Sequence, residues 1–425
     1  MTGQSPAQPR SRTIAERVKR YIFIKRDAPF YARYTLHHHL IAGILEGLCV
    51  GIIGLNTYVA KRSLLATDNQ ISALTSWPMV VFVLASVWSH YMNDRNNSRF
   101  ILLAGALGRL SLVVFFFIES SLPLLAMIVL YNLMHSVFMP AQSRIFQANY
   151  SNETRGRMFS SVQARTMLMT ALVAFGAGRL LDINPNSYKW LFPLAGIFGF
   201  WAYYRYTLIG IRGGGAPQEP AKKAFPFANF FSILKKDKLF FWYETFFFIY
   251  GLGFMVTLPL IYFLFDEELN MNYRDFSSSY MVVPQLIMLV MLPFFGRMLD
   301  RLNPIRTCAI AFAFLAFWPF VLGLTTEIWQ AYAAFVFYGI GMAAVQVTWT
   351  LGALHFAPAR EAQKYHSIHV TLVGLRACFA PWLAVKLLMP GIGIRPTFFL
   401  GAGFFAVSAV LMYLLYIRTS KAPRA

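Results

Sequence analysis

Glu46 and Arg109 each stand about ten residues inside a run of otherwise apolar sequence. At a helical rise of 1.5 Å per residue, both charges sit ~15 Å from the starts of their runs. A charge that deep in hydrocarbon is costly and turns toward protein or water, so each is a candidate functional group. Two chemistries fit. Opposite charges at matched depth can form an ion pair that fixes the local packing. Alternatively, Glu46 takes up and releases a coupling proton, its affinity changing with access to water. His39, Glu46, Ile53 and Thr57 share one helix face, the better face for a cavity. Asn132, His135, Ser136, Met139 and Gln142 recur at three- and four-residue steps on another helix, too polar a stripe to face lipid. An imidazole at His135 can carry a proton near neutral pH. Glu46, Arg109 and His135 are therefore the candidates for ion coupling.

A second group is cationic. His366, His369 and Arg376 share a face late in the chain, as Ser161, Arg165 and Arg179 do earlier. Arg376 lies ~18 Å into its run. The C-terminal half offers it no obvious acid, because Glu244 stands near the start of its own run. Arg376 thus either reaches Glu46 or awaits an anionic ligand, for which its planar fork is suited. With Arg165 it would bind a carboxylate or phosphate, although Arg165 is shallower and can also snorkel to the surface. The expected cavity residues are Glu46, Asn132, His135, Arg165, His369 and Arg376. Gln346, Thr348, Trp349 and Thr350 would complete a polar and aromatic wall.

Other signals exclude more than they suggest. His37, His38 and His39 are adjacent and cannot share a helix face, so no metal site is read from them. Cys49, Cys308 and Cys378 are far apart, inside apolar runs, with neither metal nor disulfide spacing. The chain carries no phosphate loop, nucleophile elbow or zinc helix motif. An enzyme or ATP-driven pump has no site here, and no cofactor is expected.

The elements that must hold these residues follow from composition. The 425 residues are 57% hydrophobic and only 13% charged, with a mean hydropathy of +0.51. Soluble domains carry roughly a quarter charged residues. Apolar runs fall at 36–60, 70–91, 99–118, 122–143, 158–181 and 189–211, then at 239–265, 277–297, 305–325, 327–353, 365–389 and 396–417. About twenty residues cross a bilayer as a helix, and runs this long exclude barrel strands. The fold class is an all-α membrane protein of twelve transmembrane helices. In the first helix Gly43, Gly47 and Gly51 form a stripe that lets a neighbour approach closely.

Charge sets the orientation. The net charge of +20 would suggest nucleic acid in a soluble protein, but here the basic residues collect in loops and no nucleic-acid partner is expected. Eight of them, from Arg10 to Arg33, lie in an N-terminal arm, and six, from Arg212 to Lys238, lie in a middle linker. The 266–276 loop instead carries Asp266, Glu267, Glu268 and Asp275. Both termini and the linker are therefore placed in the cytoplasm of an inner, plasma-type membrane. The polar, basic start shows no signal peptide. The organisation expected is a basic arm over 1–35, in which 13–34 can lie on the membrane surface, a six-helix bundle over 36–211 and a linker over 212–238. A second bundle over 239–418 and a tail over 419–425 complete it.

The halves repeat. Asp94-Arg95 after the second run recurs as Asp300-Arg301 after the eighth, and Phe159-Ser-Ser161-Val aligns with Tyr365-His-Ser367-Ile. Gly47-Leu48 and Tyr58 match Gly251-Leu252 and Tyr262. With Arg99, Gly296 and Arg306 nearby, these residues resemble the loop motif of the major facilitator superfamily, Gly-x-Leu-x-Asp-Arg-x-Gly-Arg/Lys-Arg/Lys. Arg155-Gly156-Arg157 is similar to that family's loop before helix five. The first copy departs from the motif, with His90 and Asn97 in place of glycines. The drug-exporter and sugar-porter patterns of the family are missing.

The resemblance implies two homologous six-helix bundles rocking about a central cavity, with Asp94, Arg95, Arg99, Gly296, Asp300, Arg301 and Arg306 as a cytoplasmic latch. The expected function is secondary active transport of a small organic solute, with an organic anion as the class that Arg376 suits, a proton or other ion as coupling partner and a monomer as the working unit. A transporter-like sensor, or a lipid-moving envelope protein without solute flux, is the alternative reading.

Overall fold

The computed structural model describes residues 29–92, 95–211, 230–301, 303–357 and 362–421, without the side chains at 86, 89, 90, 152–157, 296, 297, 299–301, 347, 350–354, 362–364 and 421. Asp94, most of the arm and the linker up to 229 lie outside the described residues. So do the side chains of His90, Arg155, Arg157, Asp300, Arg301 and Thr350, and the end of the tail.

Among the described residues there is no strand, and twelve helical spans follow one another. They are α1 (Phe30–Arg62), α2 (68–91), α3 (Asn97–Phe117), α4 (Ser121–Asn149), α5 (Asn152–Ile183) and α6 (Tyr188–Thr207). A short helix, Phe230–Lys236, precedes α7 (Lys238–Glu268), α8 (273–301), α9 (Pro304–Leu324), α10 (Ile328–Leu354), α11 (362–392) and α12 (Ile394–Lys421). Ten of them are long and apolar enough to cross a bilayer. α2, rich in Ser and Thr, and α6, rich in Trp and Tyr, complete the set. Helices α1 and α5 begin about six residues before the apolar runs that mark them, because backbone hydrogen bonding continues through polar sequence at a membrane face.

Local sequence explains several boundaries. Thr67 and Gln70 form a reciprocal capping box at the start of α2, and Gln70 also accepts a hydrogen bond from Ser121 at 2.9 Å, tying α2 to α4. Asp237 caps α7 by accepting from the Phe240 N–H at 3.0 Å. Pro78 removes a backbone donor in α2, and a short 3₁₀ turn follows at Val81–Val83. In α3 the residues Gly105–Arg109 form a π-helical turn, a widening found frequently at functional sites.

The spans alternate in direction, so α1 starts and α12 ends on one face, here the termini face; the opposite one is the distal face. Within the first half, α1 packs on α5 and α6. Within the second, α7 packs on α11 and α12. The glycine stripe of α1 lies against Val162, Thr166, Met169 and Thr170 of α5 with no room for a Cβ. The Thr166 and Thr170 hydroxyls donate to the Gly43 and Gly47 carbonyls at 2.9 and 3.3 Å. The halves meet where α2 packs on α11 and where α5 packs on α8.

Polar contacts between the halves gather on the distal face. Lys61 pairs with Glu267 at 2.5 Å, and Arg62 with Asp266 at 3.0 Å and with Asn270 at 3.2 Å. Tyr58 donates its hydroxyl to the Met271 carbonyl at 2.5 Å, and the hydroxyls of Ser63 and Tyr273 are hydrogen-bonded. Asp182, at the end of α5, accepts from the backbone N–H groups of Tyr273 and Arg274 at 2.7 and 3.0 Å. Its charge therefore sits on the positive end of α8.

Candidate functional site

The first cluster is built by α1, α3, α4 and α6. Arg109 ends the π-helical turn of α3 and is 1% exposed. Its Nη2 donates to Glu46 Oε1 and to the Tyr203 hydroxyl, both at 2.7 Å. Nη1 points at Cys49 Sγ, 3.3 Å away, and the guanidinium lies over the rings of Tyr131 and Tyr203. The Tyr203 hydroxyl is also hydrogen-bonded to His135 Nδ1 at 2.7 Å. The sequence expectation of a Glu46–Arg109 pair is met. Glu46 remains 22% exposed in its side chain, and its Oε2 has no hydrogen-bond partner.

Other expected residues are placed less eventfully. Asn132 donates to the Ile128 carbonyl of its own helix at 2.8 Å. Arg165 folds back on Ser161, donating to its carbonyl at 2.8 Å and its hydroxyl at 2.6 Å. Arg179 is exposed and stacks on Phe175. His39 is buried among Phe146, Tyr150 and Tyr206, with Nδ1 3.1 Å from the Tyr150 hydroxyl. Of the latch residues, Arg95 and Arg99 are exposed and Arg306 lies 5.7 Å from the Tyr416 ring. Cys49 and Cys308 are buried, whereas Cys378 is exposed.

The second cluster lies along the seam between α7 and α11. Tyr365 donates to Asp237 at 3.1 Å near the termini face. One turn further, His369 Nδ1 lies 3.1 Å from both carboxylate oxygens of Glu244, and the two side chains are only 1% and 3% exposed. Next, Arg376 Nη1 donates to the Phe247 carbonyl at 2.8 Å. Arg376 is 3% exposed, its Nε has no partner, and its guanidinium fills the space that a side chain on Gly251 would take. Trp349 of α10 and Phe247 close over His369, each with its ring centroid 4.7 Å away.

Two sequence expectations change. Arg376 does not reach Glu46, which is held by Arg109; its hydrogen bond goes to the α7 backbone. Glu244 is not a peripheral residue: it is a buried acid of the second half, and its partner is His369. Sequence reasoning also missed Tyr203 and Asp182. The signal for Tyr203 was the Tyr203/Tyr206 pair, whose three-residue spacing puts both hydroxyls on one face of α6.

Two six-helix halves, each with a buried charge cluster, are joined through α2–α11 and α5–α8, and a family model for the Major Facilitator Superfamily matches residues 40–381. The chain belongs to the Major Facilitator Superfamily. It is an integral, multi-pass membrane protein and a solute transporter rather than an enzyme. No curated protein matches it in sequence. Solved structures share the superfamily fold. A POT family transporter in complex with 5-aminolevulinic acid aligns with a TM-score of 0.72 at 13% identity, over 91% of this chain and 96% of its own. The nucleoside transporter NupG gives 0.69 at 12% identity, over 90% and 100%. The human organic anion transporter TETRAN gives 0.64 at 12% identity, over 90% and 99%.

Proposed function

We propose that this superfamily member carries a small organic anion across the membrane by alternating access, driven by a proton gradient. The observation that carries the reading is Arg376. A guanidinium buried to this degree, with one main-chain bond, an unpartnered Nε and no carboxylate at ion-pair distance among the described residues, is a cation held ready for an anion. The distal contacts between the halves support alternating access, since they close one face in a way that a rocking motion would undo. Glu46, Asn132, His135, Arg165 and His369 are the remaining residues of the proposed transport path.

The basic arm and linker support an orientation with both termini in the cytoplasm of an inner membrane. Units of 36–211 and 239–418, joined by 212–238, are proposed to rock as a monomer. The Asp94/Arg95 and Asp300/Arg301 loops would act as the latch on the cytoplasmic side.

A thermal-shift screen of purified protein in detergent tests the solute class. Organic anions, sugars, amphiphiles and cations are compared at two pH values, since a ligand of the folded state raises the melting point by linkage. Stabilisation by anions, lost in Arg376→Ala, is the expected result. Stabilisation confined to neutral or cationic compounds would overturn the anion reading.

A further inference from the structure

The transport reading leaves the position of the coupling proton open, and the two buried carboxylates differ in what they can do. Glu46 is paired with Arg109, a guanidinium that only donates hydrogen bonds and offers no site for a further proton. Glu244 is paired with an imidazole, whose second ring nitrogen is a site that can accept a proton. The geometry says where the proton goes. His369 Nδ1 faces both Glu244 oxygens and keeps its hydrogen as donor, which leaves the Nε2 lone pair as the open acceptor. Nε2 is buried and has no hydrogen-bond partner.

We propose that the Glu244–His369 pair is the proton-holding unit of this transporter, loading one proton on His369 Nε2 and thereby setting the anion affinity of Arg376. The Nε2 lone pair takes up one proton, and the pair passes from a net charge of minus one to zero. Arg376 lies seven residues further along the same face of α11, about 10 Å away. Unloaded, the carboxylate offsets the arginine charge from within one seam. Loaded, that competition is removed and an outside anion binds about tenfold more tightly, taking an effective dielectric of ~20. By reciprocity the anion raises the proton affinity equally.

Among the described residues, four ionisable groups surround the pair. They are His366 and Arg376 on α11, Tyr243 on α7 and Cys308 on α9. Trp349 of α10 and Phe247 exclude water from the imidazole.

This inference rests on the transporter reading, yet its test needs no solute. Trp349 stands edge-on to His369, and an imidazolium quenches indole emission. Tryptophan emission of the purified full chain is titrated from about pH 5 to 9. A quenching step that disappears in Trp349→Phe and in His369→Gln is expected. In Glu244→Gln the step should move down by about one pH unit or more, because the carboxylate no longer favours the charged imidazole. Emission that is flat in the wild type, or a midpoint unmoved by Glu244→Gln, would overturn the proposal. The wild-type titration and Trp349→Phe decide it even where Glu244→Gln does not fold. If the step titrates as expected while the anion screen is blank, the anion reading fails alone.

Discussion

Glu46 and Arg109, 63 residues apart in sequence, meet at 2.7 Å inside the first bundle, and the arginine is the more deeply buried partner. That asymmetry predicts how the pair breaks. Arg109→Met should lower the thermal unfolding midpoint and the monodisperse yield sharply, by about 3–5 kcal/mol of stability, because an ionised Glu46 loses its partner. Adding Glu46→Gln should restore part of the loss, since two neutral groups need no mutual compensation. A double variant no more stable than Arg109→Met would show that the packing of Arg109 on Tyr131 and Tyr203 matters more than its charge.

Asp182 predicts a conformational effect. Asp182→Asn weakens two charge-assisted hydrogen bonds that hold α8 to α5, each worth about 1.5–3 kcal/mol. The distal face should open more often. A Thr57→Cys reporter, buried in this structure, should react about tenfold faster with a membrane-impermeant maleimide in the Asp182→Asn background. Equal labelling rates would rule out Asp182 as a tie between the halves.

The distal ion pairs should rank by exposure. Glu267 of the Lys61 pair is 57% exposed, whereas both members of the Arg62–Asp266 pair are under 30%. Solvent and salt screen the first more strongly. Lys61→Ala is expected to change the same labelling rate less than twofold, and Arg62→Ala several-fold. Raising the salt concentration should reproduce the Lys61 effect and spare much of the Arg62 effect.

Gly251 predicts a local effect at the anion site. A methyl group there overlaps the Arg376 guanidinium, so Gly251→Ala must displace the fork. Anion-dependent thermal stabilisation should fall with little change in the unliganded protein beyond about 1–3 kcal/mol. Gly176→Ala, where nothing lies within 4 Å, serves as the silent comparison.

Much of this architecture can be read from the chain without coordinates. Twenty-residue apolar runs dictate helices, and equal depth along two runs brings Glu46 to Arg109. Periodicity likewise assigns His366, His369 and Arg376 to one face. It cannot say which neighbour that face meets, and the pairing of Glu244 with His369 depends on how α7 lies against α11. The depth argument also misjudged Glu244: six residues into α7 is already inside the packed bundle. The π-helical turn that ends at Arg109 has no sequence signature beyond Gly105 and Gly108. Asp182 escaped because its partners are backbone N–H groups, which every residue has.

Helices α1 and α5 touch along the glycine stripe, where α1 brings only its backbone and α5 sets Val162, Thr166, Met169 and its own main chain directly against it. Such a contact has little compliance. Displacing α1 at the depth of Glu46 therefore drags α5 along, and with it Asp182 at the far end. The pair behaves as a stiff push-rod, delivering an event at a buried carboxylate to the bolt on α8 without attenuation.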